Sequence, residues 1–575
     1  MKSKGELLEV KDLAVSFPTV DGEFDALKGI SFSLDRGEVL GIVGESGSGK
    51  SMTALSILQL LPGSALWKSG EIVFQDDQDS SITLNELDAK GLQKIRGNRI
   101  SMIFQDPMSS LNPVYTCGNQ VAEVLQLHKN LSKKEARTAV LALFEQVQLP
   151  DVERIFTAYP HQLSGGQKQR IMIAMAIATT PDLIIADEPT TSLDVTVQGQ
   201  ILALLLALKD ELDIGILFIS HDLGVISEIA DRVLVMRQGE IVERGDKRSL
   251  LQKPSHPYTK GLLACRPPLN KRLRRLPTIA DFQEGSQPEA QQWIYKEEDY
   301  RKHLEEIAQS PAILEIEQLE TWFPSKRNFW GKPTAYVKAV DGVSFQLKKG
   351  ESIGLVGESG CGKTTLGRTI LKLIEPQAGR IVFAGSELTK LDDQGMQAYR
   401  KNMQIVFQDP YASLNPRKMI GYAISEPMRK YFPALSPQER KDKTIALLEQ
   451  VGLSAEHFFR YPHEFSGGQR QRIAIARALA VEPSFLICDE SVSSLDVSVQ
   501  AQILNLLTEL REEKGLSYIF ISHDLSVVKF MADRILVMYE GKIVEEGLAD
   551  DLYNNPKTAY TKKLIEAIPD SSIFN

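Results

Sequence analysis

Two stretches of the 575-residue chain place glycines, a lysine and a hydroxyl at the spacing that grips phosphate. They are Gly44-Glu45-Ser46-Gly47-Ser48-Gly49-Lys50-Ser51 and Gly357-Glu358-Ser359-Gly360-Cys361-Gly362-Lys363-Thr364. Each follows a short apolar run, Val39–Val43 or Ser352–Val356, and opens a helix-like segment beginning at Met52 or Thr365. Glycines let the backbone curl so that N–H groups point inward, and the following helix offers its positive end. In this reading Lys50 and Lys363 reach the outer phosphates, and Ser51 and Thr364 supply an oxygen for Mg²⁺. One such pattern can be a structural glycine turn; two in matching strand and helix contexts point to nucleotide chemistry.

Carboxylates and histidines recur in the same manner. Asp187-Glu188 ends the apolar run Leu183–Ala186, and Asp489-Glu490 ends Phe485–Cys488. His221 and His523 each follow an Ile-Ser at the end of another apolar run, at the same offset of 523 − 221 = 302. Alone, an Asp-Glu pair reads as a solvated strand end and a single histidine as a core or surface residue. Their paired recurrence makes them candidates for chemistry.

The elements that must position these residues form a long internal repeat. Leu8–Leu13 matches Leu314–Leu319, and the whole second half lies over the first. This is duplication of a domain, not a short solenoid period. The phosphate loops lie 357 − 44 = 313 apart, but everything from Gln105 and Gln408 onward lies 302 or 303 apart, so the first copy carries an insertion around 76–85. Strands precede helices as in nucleotide-binding parallel sheets, and 105–163 and 408–465 have mostly helical periodicity. The expected fold is α/β: tandem P-loop NTPase domains, each a mainly parallel sheet core with an antiparallel β-subdomain and an inserted helical subdomain. The expected boundaries are 6–265, a linker 266–311 rich in Pro, Gln, Glu and charge, and 312–575. Within the linker, Lys271–Arg275 reads as the solvated face of a tether, and Trp293–Ile307 has helical spacing.

Composition narrows the class. A hydrophobic fraction of 43% with 25% charged residues is that of ordinary soluble globular protein. The net charge of −9 argues against a general nucleic-acid binder. The four cysteines have no metal-ligand spacing and read as reduced thiols. The charged start Met1-Lys2-Ser3-Lys4 lacks a signal-peptide pattern, and no apolar run approaches the ~18–20 residues that span a bilayer, so a membrane role is expected to come through separate subunits.

Leu163-Ser164-Gly165-Gly166-Gln167 and Phe465-Ser466-Gly467-Gly468-Gln469 each open a helical run. Joined to the preceding phosphate loops and the following Asp-Glu pairs, they resemble the signature of ABC transporter ATP-binding subunits, over both halves. The resemblance implies that Ser164, Gly165, Gly166 and Gln167, like Ser466, Gly467, Gly468 and Gln469, hold the γ-phosphate of ATP bound by the opposite domain. It assigns Asp187 and Asp489 to Mg²⁺, Glu188 and Glu490 to the attacking water, and His221 and His523 to the γ-phosphate. Gln105 and Gln408 would sense Mg²⁺ and water and link to a membrane subunit. Ser192-Leu193-Asp194 and Ser494-Leu495-Asp496 would couple the two sites. Phe17 and Phe323 stand where this family stacks an aromatic on adenine. The implied nucleotide sites thus contain Gly44, Ser46, Gly47, Gly49, Lys50, Ser51 and Met52, and Gly357, Ser359, Gly360, Gly362, Lys363, Thr364 and Thr365. Met52 in place of Thr365, and Ser491 in place of Pro189, are departures that remove no catalytic group, so both composite sites are expected to hydrolyse ATP.

The stretches Gln105–Pro113 and Gln408–Pro416, each closing on Ser-Leu-Asn-Pro, look like the glutamine loops of the oligopeptide, dipeptide and nickel importers. So does the tail Ser255-His256-Pro257-Tyr258-Thr259-Lys260, echoed weakly by Lys557–Thr561. In that tail His256 and Tyr258 read as packing residues, not a metal or catalytic pair, and with only Cys265 beyond them no iron–sulfur cluster is expected. The implied function is the ATPase of a peptide-type importer, resembling the fused ATPases of glutathione and microcin C/peptide importers. It would sit at the cytoplasmic membrane face, serving two separate permease subunits and a solute-binding protein, without nucleic acid. The rival is a soluble twin ABC ATPase acting on ribosomes or nucleic acid. It would carry a long charged helical arm or zinc-spaced cysteines and lack these glutamine loops.

Overall fold

The apolar runs before the phosphate loops are central strands of two parallel sheets, and burial on both faces explains their composition. The computed structural model describes residues 5–19, 22–75, 80–106, 110–191, 193–282, 293–327, 333–493 and 495–568. They fall into two compact units, Met1–Leu263 and Ala264–Ile568.

In the first unit, β1 (Glu6–Thr19), β2 (Gly22–Asp35), β4 (Leu66–Gln75) and β5 (Ser81–Thr83) form an antiparallel sheet in the order β2-β1-β4-β5. The second sheet uses β3 (Val39–Val43), β6 (Ile100–Ile103), β7 (Leu183–Asp187), β8 (Gly215–Ser220), β9 (Arg232–Arg237) and β10 (Glu240–Asp246). Its order is β10-β9-β3-β8-β7-β6, parallel except for the β9–β10 hairpin. A core of Leu8, Val15 and Leu27 from one sheet and Leu40, Ile185 and Leu217 from the other traps Ala54 and Ile57 of the helix Lys50–Ile57. That packing fixes the helix start, and with it the phosphate loop.

The second unit repeats this. Its sheets run β12-β11-β14-β15 and β16-β17-β18-β13-β19-β20, with β11 (Ala312–Arg327), β12 (Pro333–Lys348), β13 (Ser352–Val356), β14 (Ala378–Phe383) and β15 (Ser386–Glu387). The remaining strands are β16 (Met403–Val406), β17 (Phe485–Asp489), β18 (Ser517–Ile521), β19 (Arg534–Tyr539) and β20 (Lys542–Leu548). Between β14 and β15 the chain turns on Ala384 and Gly385, both at positive φ (48° and 79°), the geometry of a tight hairpin. The first unit's longer connection holds 76–79, outside the described residues, and returns as β5.

The inserted helical layer comprises Cys117–Lys129, Lys133–Gln146 and Val152–Thr157, matched by Ile420–Tyr431 and Pro437–Gln450. Reciprocal capping boxes, Ser132 with Glu135 and Ser436 with Glu439, start the second helix of each set.

The segment expected to be a tether is instead laid on the second unit. Asn505 brackets Leu276, accepting its N–H at 2.7 Å and donating to its carbonyl at 2.8 Å. Arg272 meets Asp550 at 3.4 Å and stacks 3.9 Å from the centre of the Tyr300 ring, while Arg275 pairs with Asp281 at 3.2 Å. The basic run is thus only partly a solvated face: half-buried Asp550 and Asp281 take the Arg272 and Arg275 guanidiniums, while Lys271 and Arg274 are exposed. The helix expected from Trp293 begins at Glu297, since Ile294 bridges to Leu273 and the Trp293 carbonyl accepts the Arg274 N–H. No helix among the described residues is long and apolar enough to cross a membrane.

Candidate functional site

Four adjacent parallel strands, β3, β8, β7 and β6, end at the same edge of the first unit's sheet. Beyond their carboxyl ends lie Gly44–Ser51, His221, Asp187-Glu188 and Gln105, so strand order assembles residues spread over 178 positions of sequence (221 − 44 + 1). β13, β18, β17 and β16 do the same for Gly357–Thr364, His523, Asp489-Glu490 and Gln408.

The phosphate loop is wrapped tightly. A Cβ on Gly44 would lie 2.2 Å from the Met236 carbonyl, and Gly49 sits at φ +106° with the Ala26 carbonyl 2.8 Å from any added Cβ. Gly357 and Gly362 are confined by Met538 and Ala339 in the same way. Lys50 is buried, and its Nζ donates to the carbonyls of Gly44 (2.7 Å) and Glu45 (2.9 Å). Lys363 does likewise to Gly357 (2.8 Å) and Glu358 (3.0 Å). Ser46 and Gly47, like Ser359 and Gly360, line the exposed or half-exposed crown of each loop. Met52 packs against the core, so its site differs from that of Thr365 by an apolar side chain.

Ser51 Oγ donates to Asp187 Oδ1 at 3.2 Å, and Thr364 Oγ1 to Asp489 Oδ1 at 2.8 Å. Burial pushes the Asp187 carboxyl up to about 6 against the Ser51 hydrogen bond, and raises Asp489 likewise. A buried carboxylate beside a hydroxyl suits a hard cation with oxygen ligands. The donor set therefore fits Mg²⁺.

Glu188 and Glu490 hold φ of 48° and 46°, a conformation that costs a non-glycine residue energy and turns their side chains off the strand direction. Glu188 Oε2 receives Gln105 Nε2 and Thr191 Oγ1 at 3.0 Å each and lies 3.0 Å from His221 Nδ1. Burial alone would raise this carboxyl, but His221, Lys50 and Thr191 hold it below its usual range. Glu490 Oε2 receives Gln408 Nε2 at 2.9 Å, and His523 Nδ1 stands 3.7 Å away, beyond hydrogen-bond reach. It too is held low, against burial, by the histidine and Lys363.

The Ser-Gly-Gly residues form a second cluster in each unit. Ser164 and Ser466 cap the helices Gly165–Ile177 and Gly467–Leu479 through reciprocal bonds with Gln167 and Gln469. Gly166 and Gly468 cannot carry a Cβ, which would meet Val197 at 2.8 Å and Val499 at 2.2 Å. That contact ties the signature helix to the helix beginning after Asp194 or Asp496; Asp194 caps its own through Val197 N–H at 2.9 Å. Ser192, Ser494 and Pro107–Ser109 lie outside the described residues. Phe17 is half-buried and pairs with Phe24, two residues from Ala26 at the phosphate loop; Phe323, 41% exposed, pairs with Val337, two residues from Ala339.

Sequence reasoning missed two features. Thr191 follows Glu188 by three residues, a spacing that gave no signal until the turn closed. Tyr258 reads as packing and Tyr560 only as part of the echoed tail, but Tyr258 Oη accepts the Glu45 N–H at 3.1 Å and Tyr560 Oη the Glu358 N–H at 2.9 Å. Their recurrence 302 residues apart, 560 − 258, was the available clue.

An ABC transporter family model matches residues 27–191 and 340–493, more than half of the chain. The chain belongs to the ABC transporter family. A model of the oligopeptide/dipeptide transporter C-terminal region matches 242–292 and 544–573. The glutathione import ATP-binding protein GsiA of Escherichia coli strain K12 is 46% identical over 573 residues, covering 98% of this chain and 90% of that protein. Its counterpart in Salmonella typhimurium strain LT2 is 46% identical over 569 residues with the same coverage. The post-hydrolysis dimer of the ATP-binding cassette MJ0796 with ADP and Pi is 28% identical, with a TM-score of 0.38, over 41% of this chain and 98% of that one. As an ABC protein with two cassettes, the chain binds ATP and hydrolyses it in the service of transport, with membrane permeases as its partners.

Proposed function

We propose that this ATPase energises import of peptides or peptide-like solutes, glutathione among them, through two separate permease subunits fed by a solute-binding protein. The reading is carried by the pairing of two complete cassettes with two oligopeptide/dipeptide-type tails in one chain. It places the protein peripherally on the cytoplasmic face of the membrane. The two working cassettes are 6–265 and 312–575, joined by 266–311.

Each site would hold Mg²⁺ through Ser51, Asp187 and Gln105, or Thr364, Asp489 and Gln408. The cation would neutralise phosphate charge, the chief demand of phosphoryl transfer. Lys50 and Lys363 would exchange one carbonyl contact for a phosphate oxygen. Glu188 and Glu490, kept ionised at neutral pH, accept a proton from or orient the in-line water, with His221 and His523 beside the γ-phosphate. The two cassettes would close head to tail around two nucleotides, with Ser164–Gln167 and Ser466–Gln469 gripping from the opposite half. Hydrolysis removes the bridging phosphate and reopens the pair. Permease helices would lie near Gln105 and Gln408, which bond to the catalytic carboxylates and so connect docking to chemistry.

The test is ATPase activity of the purified chain, alone and in lipid with candidate permease subunits and a binding protein loaded with glutathione or a peptide. Stimulation by the loaded binding protein is expected. Activity indifferent to these partners but raised by ribosomes or DNA would sink the reading.

A further inference from the structure

The peptide unit joining Gly44 to Glu45 is held at both ends. Its carbonyl accepts Lys50 Nζ at 2.7 Å, and its N–H donates to Tyr258 Oη at 3.1 Å. The peptide joining Gly357 to Glu358 is held identically, by Lys363 Nζ at 2.8 Å and Tyr560 Oη at 2.9 Å. The tyrosines come from the tails, 213 and 202 residues away in sequence. We infer that Tyr258 and Tyr560 are positioning residues of the two nucleotide sites, each fixing the loop peptide that aligns the phosphate-gripping lysine.

The tails are anchored for this purpose by strand carboxylates. Glu243 on β10 accepts the N–H of Ser255 (2.7 Å) and of His256 (3.2 Å), and Glu545 on β20 accepts those of Lys557 (2.8 Å) and Thr558 (2.9 Å). The rings are seated differently: Arg237 stacks 5.0 Å from the centre of Tyr258, whereas the Tyr539 ring lies 4.4 Å from that of Tyr560. The hydroxyl-to-peptide bond is kept in both although the ring packing differs, so it is the hydroxyl and not the ring's neighbours that recurs at the two loops. Burial raises both phenols, leaving them neutral acceptors for the N–H. A donor satisfied at one end of a peptide polarises the carbonyl at the other, strengthening its hold on the ammonium. Without the hydroxyl the peptide is free to rotate, and the lysine loses its pre-set direction.

This inference rests on the phosphate loops binding ATP. Y258F, Y560F and the double variant keep each ring and delete only the hydroxyl. Kd for a fluorescent ATP analogue and KM and kcat for ATP are measured on the full chain at 20 °C, beside the wild type and a thermal melt. The expected result is about a tenfold rise in Kd, about 1.4 kcal/mol. Single variants weaken one of two sites and give a biphasic titration; the double variant weakens both. Unchanged Kd and KM, with only a lowered melting temperature, would mean that the tyrosines merely pack, and overturns the inference. Failure of the wild type to bind the analogue would instead strike the ATP-site reading itself.

Discussion

The two units share the lysine, the Asp-Glu pair, the glutamine and the histidine of their phosphate chemistry, yet the surroundings of these groups diverge, most clearly at two places. At the catalytic carboxylate, Glu188 has three polar neighbours at 3.0 Å, whereas Glu490 has Gln408 at 2.9 Å and a histidine at 3.7 Å. The cause is local: Ser493 turns its hydroxyl to the Glu490 backbone carbonyl, while Thr191 gives its own to the Glu188 side chain. At the strand start before β9 and β19, Asp231 is exposed and Asp533 is 1% exposed. Asp533 meets Arg511 and His303 at 3.2 Å each and takes the Ser352 N–H at 2.9 Å. Its first-unit counterpart takes the equivalent backbone contact, the Val39 N–H at 2.9 Å, while Lys209, where Arg511 would be, pairs with Asp210. Duplication preserved the chemistry and let the surface diverge where one linker can dock on one copy.

The largest effect should come from the feature the units share. E188Q/E490Q should lower kcat by about 10³-fold while ATP stays bound through gel filtration, since proton acceptance is lost but the phosphate contacts are not. Full hydrolysis by that variant would refute the assigned role of both carboxylates. Next, D533A should destabilise the second unit by about 3–5 kcal/mol, because Arg511 and His303 are left beside a hole in a buried network. D231A should cost only about 1 kcal/mol, the worth of one hydrogen bond. Calorimetric transitions of the two variants measure the contrast, and equal losses would break it.

A pH titration sharpens the same difference. Burial would raise the Asp533 carboxyl, but Arg511, His303 and the Ser352 N–H outweigh it and hold it at about 2, below the ordinary 3.8. A depressed carboxyl stabilises the fold above its unfolded value, and that stability disappears as pH falls from about 4 to 2. The second unit should therefore lose about 2 kcal/mol over this window, and D533A should flatten the loss. The smallest effect belongs to the carboxylate shell. T191A should lower first-site turnover a few-fold, in line with one hydrogen bond to a charged group, and S493A should leave kcat unaltered. Single-turnover rates in E490Q and E188Q backgrounds isolate the two sites; equal responses would show that the Thr191 contact is idle.

The sequence by itself determined the duplication, the phosphate loops, the strand-end carboxylates and the inserted helical layer. These signals are local: glycine spacing, an apolar run ending in acid, a 3.6-residue period, each repeated at a fixed offset. Tertiary structure alone decided which residues meet. The order β3-β8-β7-β6 brings Gln105 and His221 onto one oxygen of Glu188, and no spacing rule foretells that. Arg272 of the linker read as solvated because its partners, Asp533 and Asp550, lie more than 200 residues downstream. Tyr258 read as packing because its partner, Glu45, is as distant in sequence. A hydrogen bond needs two groups within about 3 Å, and only the closed sheet and the anchored tail place a phenol on the peptide that aims Lys50 or Lys363.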